Sequence, residues 1–454
     1  MSIMDFTGKH ILVLGAGISG RAASLALARH GGIVVLNDKK NIDTSEKPWP
    51  ELAAAGVQLV FGSQDMSLLE GVDIVVPSPV ISPEMPLVAE ALCRGLAVWS
   101  EVEVACRLTN AEILGVTGTN GKTTTTTLLG EMMKASGRQT VVGGNIGAGL
   151  SELAEDLPAT AVVVAELSSF QLELTQTLKP KAAVILNITP DHLDRHHTME
   201  AYAAAKERIF RNQDSHDFAA LNYDDARVRA MADRMKGHIL WFSTEGEVPE
   251  GAFYDGTSLI LRLHGADTVI CRDTDLHLFG RHNIQNCLAA SLLAHAAGVS
   301  LDVIRKVLMS FKGVEHRLEK VRVIHGVTYY NDSKGTNTDA SIKALEAFSG
   351  HLILIAGGYD KMTPLDEFMA LAAKKVDTLI LIGNAADRFE EAAKKAGITD
   401  IRRAGYSMEQ AIMMARKIAK APQAVLLSPA CSSYDMYDNY EQRGRVFKGI
   451  VNAI

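Results

Sequence analysis

The run Gly118-Thr119-Asn120-Gly121-Lys122-Thr123-Thr124 constrains this chain more than any other stretch. It follows an apolar segment, Ile113–Val116, that reads as a strand, and opens a helical pattern from about Thr123 to Ser136. A glycine turn between a strand and a helix lets backbone N–H groups curl around an anion, and the helix N-terminus adds partial positive charge. In that frame Lys122 reaches the β- and γ-phosphates of a nucleotide, and Thr123 offers a hydroxyl to Mg²⁺. The loop is shorter than the common G-x-x-x-x-G-K-[ST] form, which needs glycine where Val116 stands. A glycine turn with a chance Lys-Thr pair is the plain alternative. The strand–loop–helix context favours a phosphate loop, and with it ATP used for chemistry.

A chain of 454 residues is too long for one ordinary core and suggests two to four domains. Its 47% hydrophobic and 22% charged residues are globular values. The net charge of −7 argues against nucleic acid or a membrane surface as the general partner, while leaving room for a local basic site that takes small anions. Cys93, Cys106, Cys271, Cys287 and Cys431 form no C-x-x-C pair, which argues against zinc and dithiol chemistry and fits a reducing cytoplasm. Asp5 and Lys9 precede the first short strand, unlike a signal peptide, and no uncharged apolar stretch reaches membrane-spanning length. With no coiled-coil pattern, a monomer is expected.

Strands and helices alternate along the chain. Ile11–Leu14 is followed by Gly15-Ala16-Gly17-Ile18-Ser19-Gly20, a helix to about Arg29, and a strand Ile33–Leu36 that ends at Asn37-Asp38. Val72–Val76 runs into Pro77-Ser78-Pro79, and a boundary falls near Trp99–Glu101. The second part carries the phosphate loop, strands Ala161–Ala165 and Ala182–Leu186, and a helix Ile284–Ala297. The third starts near Gly313, with strands Val327–Asn331, Leu352–Ala356, Thr378–Ile382 and Ala424–Leu427. This alternation predicts an α/β protein of parallel sheets with ligands beyond the carboxyl ends of strands, in three domains at 1–100, 101–313 and 314–454.

The polar clusters sit at those strand ends. Gly15-x-Gly17-x-x-Gly20 with Asp38 fits a diphosphate turn, equally suited to a dinucleotide or a nucleotide-sugar diphosphate. Glu166 ends a strand beside the phosphate loop, where a carboxylate suits Mg²⁺ or simply a helix N-terminus. His192 lies in the loop Asn187–His197 and could ligate metal or orient phosphate, while His196 and His197 read as solvent-facing. Lys206, in an alanine-rich helical stretch, reads from its pattern as a surface lysine. Asn283 and Asn286 share a helix face that could bind a base, although Asn283 also suits a helix cap. Arg317 near a domain boundary could clamp phosphate, Asp332 suits a ribose hydroxyl, and Lys334 and Thr336 suit anions. The loops Gly357–Lys361 and Ser428–Asp435 complete a polar rim fit for a small carboxylate.

Taken together, these residues resemble the Mur ligases over essentially the whole chain, and among them the D-glutamate-adding members. Gly143-Gly144-Asn145-Ile146-Gly147, Glu166–Glu173, Asn331–Asn337 and Ser428–Asp435 carry the finer resemblance. It implies a Rossmann-like N-terminal domain for a UDP substrate, a central P-loop-type ATPase domain and a Rossmann-like C-terminal domain that closes on ATP and binds D-glutamate. It implies UDP-N-acetylmuramoyl-L-alanine contacts at Gly15, Gly17, Ile18, Ser19, Gly20, Asp38, Ser78 and Asn145. ATP contacts are implied at Gly118 through Thr124 (Thr119, Asn120, Gly121, Lys122 and Thr123 included) and at Asn283, Asn286, Arg317 and Asp332. Thr123, Glu166, His192 and a carbamylated Lys206 would hold Mg²⁺, reversing the surface reading of that lysine. Lys334, Thr336, Lys361, Ser433 and Tyr440 would surround D-glutamate. Lys39 and Lys40 stand where the family often has an arginine, and tyrosine at 440 replaces a common phenylalanine.

The rivals are a folylpolyglutamate-synthase-like ligase, which should lack the Gly15–Gly20 fingerprint, an NAD(P)-dependent oxidoreductase, which would leave Lys122 idle, and a nucleotide switch, which needs no anion-binding third domain. The phosphate-loop reading predicts that Lys122→Ala abolishes ADP formation, followed by a coupled ADP assay. Full turnover in that variant would remove the loop from the chemistry.

Overall fold

In the computed structural model, which describes residues 3–278 and 280–454, the chain is mixed α/β with three sheets dominated by parallel strands. It divides into two compact units, Met1–Leu276 with Ile284–Phe311, and His277–Asn283 with Lys312–Ile454.

The first unit contains two sheets. Strands β1 (His10–Leu14), β2 (Ile33–Asp38), β3 (Gln58–Phe61), β4 (Ile74–Pro77) and β5 (Ala97–Val98) form an all-parallel sheet in the order β3-β2-β1-β4-β5. Ile11–Leu14 and Ile74–Val76 are buried, as central parallel strands covered on both faces require. The chain leaves β1 to one side for β2 and β3, then returns to its other side for β4. The crevice beyond β1 and β4 is therefore the topological switch point, and the Gly15–Gly20 turn and Ser78 both lie there.

The second sheet has nine strands: β6 (Glu112–Thr117), β7 (Thr140–Gly144), β8 (Val162–Glu166), β9 (Ala182–Ile185), β10 (Phe218–Asn222), β11 (His238–Ser243), β12 (Gly251–Tyr254), β13 (Ser258–Leu263) and β14 (Ala266–Arg272). Their order is β14-β13-β12-β11-β10-β9-β6-β8-β7. Glu166 pairs with Val116 on one side and Gly144 on the other, and Thr117 pairs with Ile185. That register brings the phosphate loop, the glycine loop after β7, Glu166 and the loop after β9 to one edge of the sheet. The expectation of parallel sheets throughout needs correction: β12–β13 and β13–β14 pair antiparallel, around Asp255-Gly256 and His264-Gly265. Hairpin turns at these positions reverse the chain without a crossover helix.

The second unit holds β15 (Glu319–Ile324), β16 (Val327–Asn331), β17 (Leu352–Gly357), β18 (Val376–Ile382), β19 (Ile401–Arg403) and β20 (Ala424–Leu427), in the order β15-β16-β20-β17-β18-β19. Only the edge pair β15–β16 is antiparallel. Returning last, β20 inserts between β16 and β17, so the polar loops after these three strands become neighbours.

The first two sheets are joined by buried carboxylates at the start of helix Glu101–Arg107, whose N-cap is Ser100. Glu103 is fully buried; its oxygens accept from Arg107 Nε at 2.8 Å, the Gln176 and Thr177 N–H groups at 2.7 and 2.8 Å, and the Thr177 hydroxyl at 2.7 Å. Arg107 also lies 4.0 Å over the Trp99 ring. Removing one partner of such a set strands the others without water to replace it. Glu103→Ala is therefore expected to cost about 3 kcal/mol, read from the shift in urea unfolding. A loss below ~1 kcal/mol would mean that solvent satisfies those donors.

Candidate active site

The phosphate loop forms because β6 must turn directly into a helix. That helix spans Lys122–Ala135, and Gly121 at its N-cap has φ +85°, a left-handed conformation that favours glycine. A Cβ there would lie 2.3 Å from Asn286 Oδ1. Asn187, just beyond β9, braces the loop: its carbonyl accepts from Thr119 N–H at 2.9 Å and its side chain from Asn120 N–H at 2.8 Å. Thr119 exchanges hydrogen bonds with Thr189 at 3.0 and 3.2 Å, and its hydroxyl lies 3.1 Å from the Tyr202 hydroxyl.

Two lysines converge on this loop. Lys122 Nζ donates to the carbonyls of Gly118 (2.9 Å) and Thr119 (2.8 Å), and Lys206 Nζ donates to the same Gly118 carbonyl at 2.9 Å. The pattern-based placement of Lys206 on the surface is wrong. It is 2% exposed, on the inner face of helix Met199–Glu207, with its ammonium 4.6 Å from the Tyr202 ring centroid. Alanines at 203–205 hide this because small residues leave little amphipathic contrast to read. Burial, then the Lys122 charge, pushes Lys206 well below the usual lysine range.

Glu166 is buried, and Asn145 Nδ2 donates to its Oε1 at 3.0 Å. Its Oε2 is buried with no hydrogen-bond partner among the described residues. A buried carboxylate oxygen with a vacant lone pair beside a phosphate loop fits a hard divalent cation. Thr123, also buried, stands at the start of the adjoining helix. His192 has φ +54° and opens the short helix Leu193–His196; its ring lies 4.7 Å from that of Phe170.

His196 also needs correction: it is buried, not solvent-facing, whereas His197 is exposed. Its ring stacks on Phe170 at 5.5 Å, with Nε2 2.9 Å from Ser169 Oγ and Nδ1 3.3 Å from Glu173 Oε1. Adjacent histidines in a polar loop give no sequence signal of which one turns inward. The other Glu173 oxygen pairs with Arg195 at 2.5 Å. Burial, with the charges of Arg195, His192 and Lys206, brings His196 down to about 4.

At the first sheet's switch point, Gly20 lets the helix Ile18–Arg29 press onto the turn, since a Cβ there would meet the Gly15 carbonyl oxygen at 1.9 Å. The Ser78 hydroxyl donates to that carbonyl at 3.2 Å. Both Asp38 oxygens are engaged locally, accepting from the N–H groups of Ala16 (2.9 Å) and Lys40 (3.0 Å). The aspartate thus shapes the turn. Gly17 and Ile18 are exposed, with Ser19 half-buried beside them.

In the second unit, Arg443 is the residue that sequence reasoning missed. It is 1% exposed in helix Tyr440–Ala453 and donates to the Ser333 hydroxyl (3.0 Å) and to the carbonyls of Ser333 (2.8 Å), Cys431 (3.1 Å) and Ser432 (3.1 Å). It thereby ties the loop after β16 to the loop after β20. Lys334 lies over the Tyr440 ring at 5.2 Å, Thr336 is half-buried, Ser433 is buried, and Lys361 is exposed. Asp332 is fully buried, accepting from Leu318 N–H (3.2 Å) and Ser428 Oγ (2.8 Å); burial raises it to about 6. In this arrangement its carboxylate braces Leu318, next to the half-buried Arg317, instead of facing outward for a ribose. Asn283 is buried and lies within helix Arg281–Ala296, so it is not the cap.

The pH dependence of stability follows from His196. A folded value near 4 against an ordinary 6.5 means the unfolded chain binds the extra proton first, so stability is full above about 6.5 and falls as pH drops toward 4. His196→Asn should remove up to about 3 kcal/mol of that fall, measured as urea midpoints from pH 7 to 4. An unchanged pH slope would contradict the burial argument.

Sequence profiles of the Mur ligase middle domain and of the Mur ligase glutamate ligase domain match residues 116–294 and 316–431. The chain is 44% identical over 452 residues to a UDP-N-acetylmuramoylalanine--D-glutamate ligase of Pelotomaculum thermopropionicum, covering 100% of this chain and 99% of the relative. It is 45% identical over 448 residues to the ligase of the same name from Desulfitobacterium hafniense, covering 99% and 98%. In fold it is similar to MurC from Thermotoga maritima (TM-score 0.61, 19% identity, 98% of this chain and 99% of that one). It also resembles MurF from Thermotoga maritima in complex with ADP (TM-score 0.60, 19% identity, 99% and 96%). Identity of this order along the full length of both chains means that the protein belongs to the Mur ligase family, among its D-glutamate ligases.

Proposed function

We propose that this protein is an ATP-dependent ligase that joins D-glutamate to UDP-N-acetylmuramoyl-L-alanine in peptidoglycan precursor synthesis, giving ADP and phosphate. Full-length identity to ligases of that name supports the reaction. The observation that carries the chemistry is the convergence of Lys122 and Lys206 on the Gly118 carbonyl next to the orphaned Glu166 oxygen. Lys122 and the N–H groups of the loop suit a polyanion such as a nucleotide triphosphate, and the Glu166 oxygen with Lys206 suits the divalent cation that accompanies it.

The carboxylate of the substrate's L-alanine takes the γ-phosphoryl group of ATP, and ADP leaves. The amine of D-glutamate attacks the resulting acyl phosphate, and phosphate departs from a tetrahedral intermediate as the amide forms. Lys122 and the N–H groups of Gly118–Thr124 hold phosphate oxygens and offset charge as the phosphoryl group moves. Thr123, Glu166, His192 and carbamylated Lys206 are the residues that would hold Mg²⁺. The metal supplies charge neutralisation for the transferring phosphoryl group. Carbamylation needs the neutral amine, which the buried setting of Lys206 favours: the ammonium gives up one proton, and addition of CO₂ to the amine releases a second, leaving a carboxylate-like ligand.

The Gly15–Gly20 turn with Ser78 and Asn145 binds the UDP substrate. Asn283, Asn286, Arg317 and Asp332 serve ATP, Asp332 through its brace on the backbone beside Arg317. Lys334, Thr336, Lys361, Ser433 and Tyr440 take D-glutamate. These roles correspond to three domains at 1–100, 101–313 and 314–454. A cytoplasmic monomer acting on small-molecule substrates completes this reading. No helix among the described residues is long and apolar enough to cross a membrane.

Phosphate release from ATP should depend strictly on UDP-N-acetylmuramoyl-L-alanine and on D-glutamate, each omitted in turn, and should stop when EDTA removes divalent metal. Release without either substrate would overturn the assignment. In CO₂-depleted buffer activity should fall by about tenfold or more and return with bicarbonate, the scale of losing one charge-stabilising group. Indifference to bicarbonate would leave Lys206 acting as an amine.

A further inference from the structure

Phe170 is held on three sides. The His192 ring lies 4.7 Å from its centroid, the His196 ring 5.5 Å, and the Arg195 guanidinium 4.3 Å. Arg195 is only 10% exposed and is itself fixed at two further points. Its Nη2 lies 2.5 Å from Glu173 Oε2, and its Nη1 donates to the carbonyl of Pro79 at 2.9 Å. Pro79 directly follows Ser78, whose N–H donates to Leu14 O at 2.7 Å and whose hydroxyl donates to Gly15 O at 3.2 Å. One guanidinium thus links the turn at the first sheet's switch point to the ring on which His192 rests.

We propose that Arg195 is a positioning residue for the ligation, fixing His192 relative to the Ser78–Pro79 turn through Phe170. This rests on the ligase reading above. A substrate whose diphosphate is held at the Gly15–Gly20 turn must deliver its carboxylate beside Lys122, so it spans both sheets of the first unit. The relative placement of the two ends then enters the rate as orientation, where small displacements are costly. Only a planar fork can meet Pro79 O, Glu173 and an aromatic face at once; a lysine, with one point charge on a flexible stem, cannot. Nearby, His197 Nε2 and Glu84 Oε1 link the same two segments at 3.2 Å, but both side chains are largely exposed, at 62% and 72%. That pair is the internal control for a contact that merely bridges the segments, since exposed pairs contribute little.

The test uses the full chain and the phosphate-release assay with each substrate varied in turn. Arg195→Met should lower kcat about 10- to 100-fold while KM for ATP and D-glutamate stays within about twofold and the thermal midpoint is retained. Arg195→Lys should recover little of the loss, and His197→Ala should match the unaltered protein. Phe170→Leu, which keeps Arg195 but removes the ring between it and His192, should reproduce the kcat loss even if the arginine variants fold poorly. The proposal fails if Arg195→Met or Phe170→Leu keeps kcat within about twofold of the unaltered protein, or if Arg195→Lys restores it fully. It also fails if the three KM values rise together as the thermal midpoint drops, the signature of general loosening. Lack of substrate-dependent phosphate release by the unaltered protein would instead count against the ligase assignment itself.

Discussion

Two ammonium groups share one carbonyl at the heart of this protein. Lys122 reaches the Gly118 oxygen from within its own helix, and Lys206 reaches it from a helix 84 residues later in the chain. Burial disfavours the charged form of Lys206 and the Lys122 charge adds to that, so Lys206 loses its proton more easily than an ordinary lysine. The arrangement becomes favourable when a polyanion enters or when Lys206 is chemically neutralised. The fold around it, from the Asn187 brace to the buried Glu166, holds these groups close despite that tension.

The cost of holding them is met by packing and by hydrogen bonds to buried polar groups elsewhere. Between the first two sheets, Glu103 accepts four hydrogen bonds, and Glu101 accepts two from Ser151, at 2.5 and 2.7 Å, at the start of helix Leu150–Ala154. Burial raises Glu101, whose other oxygen has no partner among the described residues. Gly149, immediately before that helix, sits so close to Ala22 that a Cβ would lie 2.3 Å from its methyl group. The helix that opens beside the diphosphate turn and the loop that carries Asn145 are thereby packed as one body. In the second unit Arg443 does the corresponding work with four acceptors on two loops.

Much of this was legible from residue order. Val327–Asn331 and Ala424–Leu427 match their strands residue for residue, because short apolar runs bounded by polar turns have one economical reading in an alternating chain. The phosphate-loop helix begins at Lys122, one residue before its expected start, and the helix carrying the asparagine pair begins at Arg281, three residues earlier. The β12–β14 extension went unread although Asp255-Gly256 marks a hairpin, because the surrounding alternation of strand and helix favoured crossovers. His196 and Lys206 were misplaced for a different reason. Each is polar, each lies in a segment without clear amphipathic contrast, and burial of such a group depends on partners far away in sequence.

The sequence by itself determined the chemistry-bearing turns. A glycine at a left-handed position, a lysine after it and a carboxylate at a strand end are local patterns whose backbone requirements hold wherever the segment lies. It also determined the alternation of strand and helix that puts such turns at carboxyl ends. Tertiary structure alone decided which polar side chains turn inward. Lys206 meets Gly118, His196 meets Ser169 and Glu173, Asp332 meets Leu318 and Ser428, and Arg443 gathers two loops. The physical reason is that a buried polar group is tolerated only where its partners are already in place, and those partners come from strands that sheet order, not chain order, makes adjacent.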